Sequence, residues 1–269
     1  MAAPSAYPKF PATSFISQAE FAAYRRADQD RLDARYSYEM ALVPQHETLT
    51  LAGTCAPCLR RARFTSDTRG WDRPAEGRRT PAWDEALVCD CADALGKRAR
   101  AVVHFAQALA SLRPWTRLLL FGPPDPSHRR LAALAGETLI RPTLRADGDS
   151  VRLDAADGVC HLAVAIECLH RIPLLAAALS EFRRVLARGG SFVATLPFRY
   201  GALATITRPD LLKPSAPLPP MLHGPAHEIG WDVLEMLRRA GFADAKLHCY
   251  WSAELGYLGP FSMILHASV

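Results

Sequence analysis

Two closely spaced pairs of cysteines are the most chemically specific feature of this 269-residue sequence. Cys55-Ala56-Pro57-Cys58 is a C-x-x-C pair and Cys89-Asp90-Cys91 is a contracted second pair, with short strand-like pieces between them. Four thiolates at about 2.3 Å complete the tetrahedral shell of a structural Zn²⁺ and leave no position for water. Cys55, Cys58, Cys89 and Cys91 are therefore candidate metal ligands with a structural role; the alternative is four reduced thiols. Cys160, Cys168 and Cys249 stand in apolar, strand-like surroundings, where cysteine behaves as a small core residue.

A second group of residues carries acid–base potential. Glu167 and His170 follow the apolar run Leu162-Ala163-Val164-Ala165-Ile166, which has the length of a buried strand. In open α/β sheets, ligands bind outside the carboxyl ends of the strands. A carboxylate beside an imidazole at such an end could take a proton from an amine or hydroxyl near neutral pH. A histidine at the exposed start of a helix is the competing reading of His170. Arg199 and Tyr200 follow the next strand, and Tyr250 and Trp251 lie near the C-terminus. His223, His227 and Glu228 come from a Pro-rich stretch. His223 and His227 are candidate catalytic groups or loop-stabilising ones, since no triad or metal spacing surrounds them.

The composition sets limits around these groups. Hydrophobic residues make up 49% and charged residues 22%, which calls for a packed core. The net charge of +5 is spread from Lys9 to Lys246 without basic blocks, which argues against nucleic acid as a partner. No apolar run reaches the roughly 20 residues of a membrane-spanning helix. The first residues lack a basic stretch followed by an apolar one, and seven cysteines is an odd count for a disulfide framework, so a cytoplasmic protein is expected.

The elements that must position these residues alternate in type. A helix is predicted over Ser17–Met40, short strands and turns over Leu49–Cys91, and a helix over Ala92–Leu112. Strands follow at Arg117–Phe121, Thr138–Ile140, Val151–Leu153, Leu162–Ile166 and Ser191–Leu196. Helices are expected at His128–Ala135 and Leu174–Ala187, the latter stopped by a left-handed cap at Gly189-Gly190. After a Pro-rich loop from Arg208 to Gly224, a helix at Trp231–Ala240 and strands at Ala245–Tyr250 and Phe261–His266 close the chain. Such alternation predicts a mainly parallel sheet covered on both faces. Three parts are expected: an N-terminal extension with a helix over 1–48, a cysteine module over 49–100, and an α/β domain over 101–269.

The stretch Glu181-Phe182-Arg183-Arg184-Val185-Leu186-Ala187-Arg188-Gly189-Gly190, running on through Ser191 to Pro197, resembles a segment of class I S-adenosylmethionine-dependent methyltransferases. In that family a helix ending in R-V-L-x-P-G-G leads into the fifth strand; here Arg188 stands in place of the proline. His227-Glu228-Ile229-Gly230-Trp231-Asp232 and Arg239-Ala240-Gly241-Phe242 resemble the family's closing helix and strand. The likeness covers about the last two-thirds of the chain. It implies a Rossmann-like, doubly wound, mainly parallel seven-stranded sheet, with the N-terminal helix as a lid. Trp83–Cys89 and Arg98-Ala99-Arg100-Ala101 resemble an N-terminal cysteine module of some bacterial methyltransferase-like proteins.

The cofactor motif departs from that family. An acid followed by G-x-G-x-G is replaced by Leu120, Phe121, Gly122, Pro123, Pro124, Asp125 and Pro126. Glycine lets a ligand approach the backbone, whereas proline fixes φ and offers no N–H. The acid that holds the ribose is replaced by Arg141, ahead of Pro142, and a guanidinium accepts no hydrogen bond. His161 stands in place of the aspartate before the fourth strand. In a shifted alignment Glu137 supplies the ribose acid, so Gly122, Asp125 and Glu137 are the residues expected toward a cofactor.

Fold does not fix function, and three functions stay open. The first is a methyltransferase-fold enzyme of small-molecule natural-product biosynthesis that performs an intramolecular displacement or ring closure, where proximity supplies much of the barrier reduction. The second is a working S-adenosylmethionine-dependent small-molecule methyltransferase. The third is a non-catalytic subunit that stabilises an enzyme partner.

Overall fold

Ser17 and Glu20 start the first helix in the manner of a capping box. The Ser17 hydroxyl accepts the Glu20 N–H at 3.2 Å, and the Glu20 carboxylate accepts the Ile16 N–H at 3.0 Å. Strand β1 (Ala12–Phe15) precedes this cap and helix α1 (Gln18–Ala27) follows it. The structure, a computed structural model, describes residues 8–43, 47–69, 71, 82–83, 86–112, 117–122, 125–135, 138–147, 150–208 and 226–269. The single helix expected over Ser17–Met40 is in fact two. Asp28 leaves the helical region at φ −108° and ψ 20°, and α2 (Gln29–Leu42) begins after it. Aspartate is a poor helix-interior residue and a favoured helix start, which places the break there.

The cysteine-bearing segment forms a three-stranded antiparallel sheet. Strands β2 (Thr48–Cys55) and β3 (Arg60–Asp67) pair along their whole length, from Thr48 opposite Asp67 to Cys55 opposite Arg60. The turn between them, Ala56–Cys58, is closed by Leu59 at φ 53°. Strand β4 (Val88–Cys89) joins β3 with Cys89 opposite Phe64. Leu49, Phe64, Trp71, Trp83 and Leu87 bury themselves together against Leu258. Helix α3 (Lys97–Leu112) starts five residues later than its periodicity predicts. The intervening Ala92–Gly96 folds back on the cysteines instead, with Ala94 at φ 47° and the Cys89 N–H donating to the Leu95 carbonyl at 2.9 Å.

The main sheet is built from the strands that follow. In chain order come β5 (Arg117–Phe121), α4 (Ser127–Ala132), β6 (Thr138–Ile140), the hairpin β7 (Leu144–Asp147) and β8 (Ser150–Leu153), β9 (Cys160–Ile166), α5 (Leu175–Val185) and β10 (Leu186–Thr195). The short strands β11 (Ile206–Thr207) and β12 (His227–Glu228), α6 (Val233–Arg239), β13 (Asp244–Ser252) and β14 (Tyr257–Ser268) complete the chain. Seven strands pair in the order β1-β13-β14-β10-β9-β5-β6. Strands β6, β5, β9 and β10 are mutually parallel; β14 is antiparallel to both β10 and β13, and β1 is antiparallel to β13. The sheet is therefore mixed, with β13 running in the same sense as the parallel four. Strand β1 draws the expected N-terminal extension into this sheet, and α3 runs across the expected boundary at residue 100.

Alternation along the central strands explains why both faces are covered. Leu162, Val164 and Ile166 of β9 pack with Val102, Phe105 and Ala106 of α3. Ala163 and Ala165 face the opposite way, into the cluster built with Leu179 and Phe182 of α5 and Leu237 of α6. A period of two with both faces apolar is the pattern of a strand buried between helices.

Two boundaries differ from expectation. Helix α5 stops at Val185, because Leu186 is already extended and pairs with Cys160. Gly189 does take a left-handed conformation, at φ 71°, but in an irregular stretch of β10, with its N–H donating to the Val269 carbonyl at 3.1 Å. The hairpin strand β7 was not anticipated.

Candidate active site

A cavity of about 440 Å³ opens at the carboxyl ends of β9 and β10 and is also lined by Phe261, Ser262 and Met263 of β14. Glu167, Arg98, Thr195, Arg199, Tyr250 and Ser262 bring polar groups to it. Glu167 is the first residue past β9, at φ 49°, a conformation that a non-glycine residue holds only under constraint. The constraint is visible: its N–H donates to the Thr195 carbonyl at 3.0 Å and lies 3.3 Å from the Thr195 hydroxyl. The backbone twist turns the Glu167 carboxylate toward Arg98, whose Nη1 lies 2.5 Å from Oε2. On the opposite wall Glu228 accepts from Arg199 at 2.5 and 2.9 Å, and Arg199 followed by the more distant Arg208 holds its carboxyl below the usual range.

The histidines divide differently from expectation. His170 sits in the turn Leu169–Arg171, buried, with no hydrogen-bond partner for Nδ1 among the described residues. Burial pushes its pKa down to about 4, helped by Arg171, Arg98 and His227. It is therefore neutral at pH 7 and a weak base, and it is not the exposed helix-start residue of the competing reading. The carboxylate–imidazole couple suggested by spacing gives way to a carboxylate–guanidinium pair. His227 donates from Nε2 to the carbonyls of Ile172 and Pro173, at 2.7 and 3.1 Å, so its Nδ1 accepts from the Thr207 hydroxyl at 3.0 Å. Both nitrogens are thus occupied in fixing β12, the loop-stabilising alternative. His223 lies outside the described residues.

Arg98 was missed as a site residue, although the sequence held a signal for it. Lys97, Arg98 and Arg100 fall in the first turn of α3, where the positive end of the helix dipole disfavours cations. Three cations placed against that field need external partners, and here they have them.

The residues expected toward a cofactor lie elsewhere. Gly122 has φ 124°, and a Cβ there would come within 2.9 Å of the Ile166 carbonyl, so glycine is demanded by the crossing of two chain segments. Asp125 accepts from the Ser127 N–H at 2.8 Å and from the Ser127 hydroxyl, which fixes the start of α4. Leu120 is buried in the core against α3. At the end of β6, Arg141 Nη1 lies 3.4 Å from Nδ1 of the buried His128. Neither Gly122 nor Asp125 borders the cavity. Pro123, Pro124 and Glu137 lie outside the described residues.

The cysteines converge. The sulfurs of Cys55, Cys58 and Cys89 lie within 4.8 Å of one another. Cys91 adjoins Cys58 and Cys89, and the nearby backbone of Leu95 and Asp93 favours its thiolate. Arg130 Nη2 approaches the Cys58 sulfur at 3.8 Å. A soft, compact sulfur set of this kind is able to hold a metal ion.

No family model matches the chain, and no curated protein does. Among solved structures it is similar to an S-adenosylmethionine-dependent methyltransferase from Mesorhizobium loti, at 17% identity over 61% of this chain and 98% of that one, with a TM-score of 0.36. It is also similar to the 1,6-didemethyltoxoflavin-N1-methyltransferase of Burkholderia thailandensis, at 17% identity over 66% and 79% of the two chains, TM-score 0.39. The cyclase SpnF gives 18% identity over 63% and 81%, TM-score 0.36. These likenesses concern the fold alone. The fold, as the strand order and the closing antiparallel β13–β14 pair have it, is a Rossmann-like α/β sheet of seven strands.

Proposed function

We propose that this chain is a methyltransferase-fold enzyme of small-molecule biosynthesis that does not transfer a methyl group. The observation that carries the reading is the end of β6, where Arg141 faces the buried His128. A ribose held there needs a hydrogen-bond acceptor, and a guanidinium is a donor only. Leu120, sunk in the core, supplies no acceptor at the end of β5 either. These residues do not fit S-adenosylmethionine, and no step is assigned to it.

The cavity at β9, β10 and β14 is the part of the site that this reading uses. A substrate held there would meet Glu167 with Arg98 on one wall and Arg199 with Glu228 on the other. The favoured reaction is a ring closure or intramolecular displacement, in which the cavity aligns the two ends of one molecule and Glu167 takes or orients a proton. His170, neutral at pH 7, serves as a hydrogen-bonding neighbour and not as the base. The helices α1 and α2 act as the cover: Phe21 packs on Phe261, a cavity residue, at 5.1 Å, and Arg25 lies over the same ring at 5.3 Å. The cysteine cluster holds Zn²⁺ with a structural role.

Calorimetric titration with S-adenosylmethionine and S-adenosylhomocysteine tests the reading. Binding weaker than about 1 mM is expected, since losing even ~4 kcal/mol moves a micromolar ligand to that range. A low-micromolar dissociation constant would overturn it and promote methyl transfer. Elemental analysis of the purified protein tests the zinc assignment, and absence of any metal rejects it.

A further inference from the structure

We infer that the cysteine cluster and the strand-end cavity are thermodynamically linked through the first turn of α3, with Arg98 as the positioning residue between them. This rests on the reading that the cluster binds a metal.

The connection can be followed atom by atom. Leu95, fully buried, is tied to the cysteine cluster: its carbonyl accepts the Cys89 N–H at 2.9 Å, and its backbone adjoins Cys91. Two residues later the Lys97 N–H donates to the Ala86 carbonyl at 3.1 Å, and the helix begins. Within one turn three cations then diverge. Lys97 Nζ donates to the Leu258 carbonyl at 2.7 Å and meets the Ser262 hydroxyl at 2.6 Å. Arg98 reaches Glu167 at 2.5 Å. Arg100 donates to the carbonyls of Leu255, Gly256 and Leu87 at 2.5, 2.9 and 3.0 Å, and lies 3.9 Å over the Phe64 ring.

Lys97 and Arg100 are fully buried, so the turn cannot rotate or fray without stranding charge away from water. Its dipole disfavours all three cations, so the turn depends on contacts outside the helix to keep its shape. One set of those contacts is the Ala92–Gly96 loop, whose path is fixed when Cys89 and Cys91 are drawn to the same ion as Cys55 and Cys58. The other is the cavity wall, through Ser262 and Glu167. An element with two such anchors makes occupancy of one favour order at the other, and linkage makes the effect reciprocal.

Reciprocity supplies a test that needs no substrate. Zinc retention is measured by competition with a chromophoric chelator in the intact protein and in the variants Arg98→Ala and Arg98→Lys. Arg98→Ala is expected to lose zinc on the order of 5-fold more readily, and Arg98→Lys to recover part of the difference. Leu179→Ala, in the core on the far face of the sheet, controls for general loosening and should retain zinc more tightly than Arg98→Ala. Hydrogen exchange supplies the second readout: chelation should raise exchange in the peptide carrying Glu167 as well as around the cysteines. Unchanged zinc retention in Arg98→Ala, or equal weakening in Leu179→Ala, overturns the linkage while leaving the metal site standing. A wild-type protein that binds no zinc overturns both.

Discussion

The two halves of the sheet's carboxyl edge are built on opposite terms. Over β5 and β6, Gly122 leaves no room for a side chain beside the Ile166 carbonyl, Asp125 is spent on the start of α4, and Arg141 faces a buried histidine. Over β9, β10 and β14 the same edge opens into a cavity walled by two acid–base pairs. One half spends its polar groups on its own loops, and the other lines a cavity with them. On the proposed reading, one of the fold's two binding positions is given up while the other is kept, since each depends on different loops carried by a common core.

The comparison is broken most severely at the cysteines, which brace the closed half through Arg130 and Asp93. Asp93 accepts from Arg129 at 3.0 Å and from Arg130 at 2.5 Å. Structural zinc contributes apparent binding energies of about 10–16 kcal/mol in small modules. Cys55→Ser or Cys89→Ser is therefore expected to lower the melting temperature by on the order of 10 °C or more, with loss of zinc from the purified protein. A variant that melts with the wild type would show the cluster to be idle. Arg100→Met comes next. It leaves three carbonyls and the Phe64 face without their cation, and charge-assisted hydrogen bonds are worth about 1.5–3 kcal/mol each. Denaturant unfolding should show a loss of about 3 kcal/mol or more, and a loss below ~1 kcal/mol would demote this residue.

In the open half the balance reverses. Glu167→Gln keeps the side chain's shape and removes only its charge, at a position that is strained to begin with. Stability should change by about 1 kcal/mol or less, as for partly exposed ion pairs, while turnover of the true substrate falls by 10²-fold or more if Glu167 moves a proton. Full activity in this variant would remove Glu167 from the chemistry.

Much of the fold could be read from the sequence, because its signals are local. The apolar runs of β5, β9 and β10 and the strands of the cysteine module follow period-two patterns that need no tertiary context. The cysteine cluster was legible for the same reason, since spacing alone brings Cys55 to Cys58 and Cys89 to Cys91. The cavity was less so. Glu167 was found from its place at a strand end, but its partner Arg98 lies far away in the chain, and only three-dimensional packing joins them. His227 lines the cavity, but the bonds that hold both its nitrogens were not legible, because a histidine in a loop carries no mark of what its nitrogens bond. The late start of α3 was missed because contacts outside the helix override its periodicity, and the break at Asp28 because the apolar spacing runs on through it.

The smallest expected effect concerns acid. Burial lowers the pKa values of His104, His128, His170, His248 and His266, with His170 and His266 at about 4 and His248 at about 3. Unfolded, each would titrate near 6.5. Between those values the unfolded chain binds more protons than the folded one, so stability is full above about pH 6.5 and falls as the pH drops toward 4. Glu39 acts in the opposite sense, because burial raises its pKa against the bonds from Gly259 and Trp251, and this offsets part of the loss. The carboxylates of Glu181 and Glu228, whose pKa values lie below the usual range, add their losses only further down. The fall that sets in below about pH 6.5 is therefore carried by the histidines. Replacing His170 by Gln removes one of them from the open half of the edge, and the slope of melting temperature against pH below that point should shrink by a modest but measurable fraction. An unaltered slope would mean that His170 is as accessible to protons in the folded protein as in the unfolded chain, and its burial in the turn after β9 would then be incomplete.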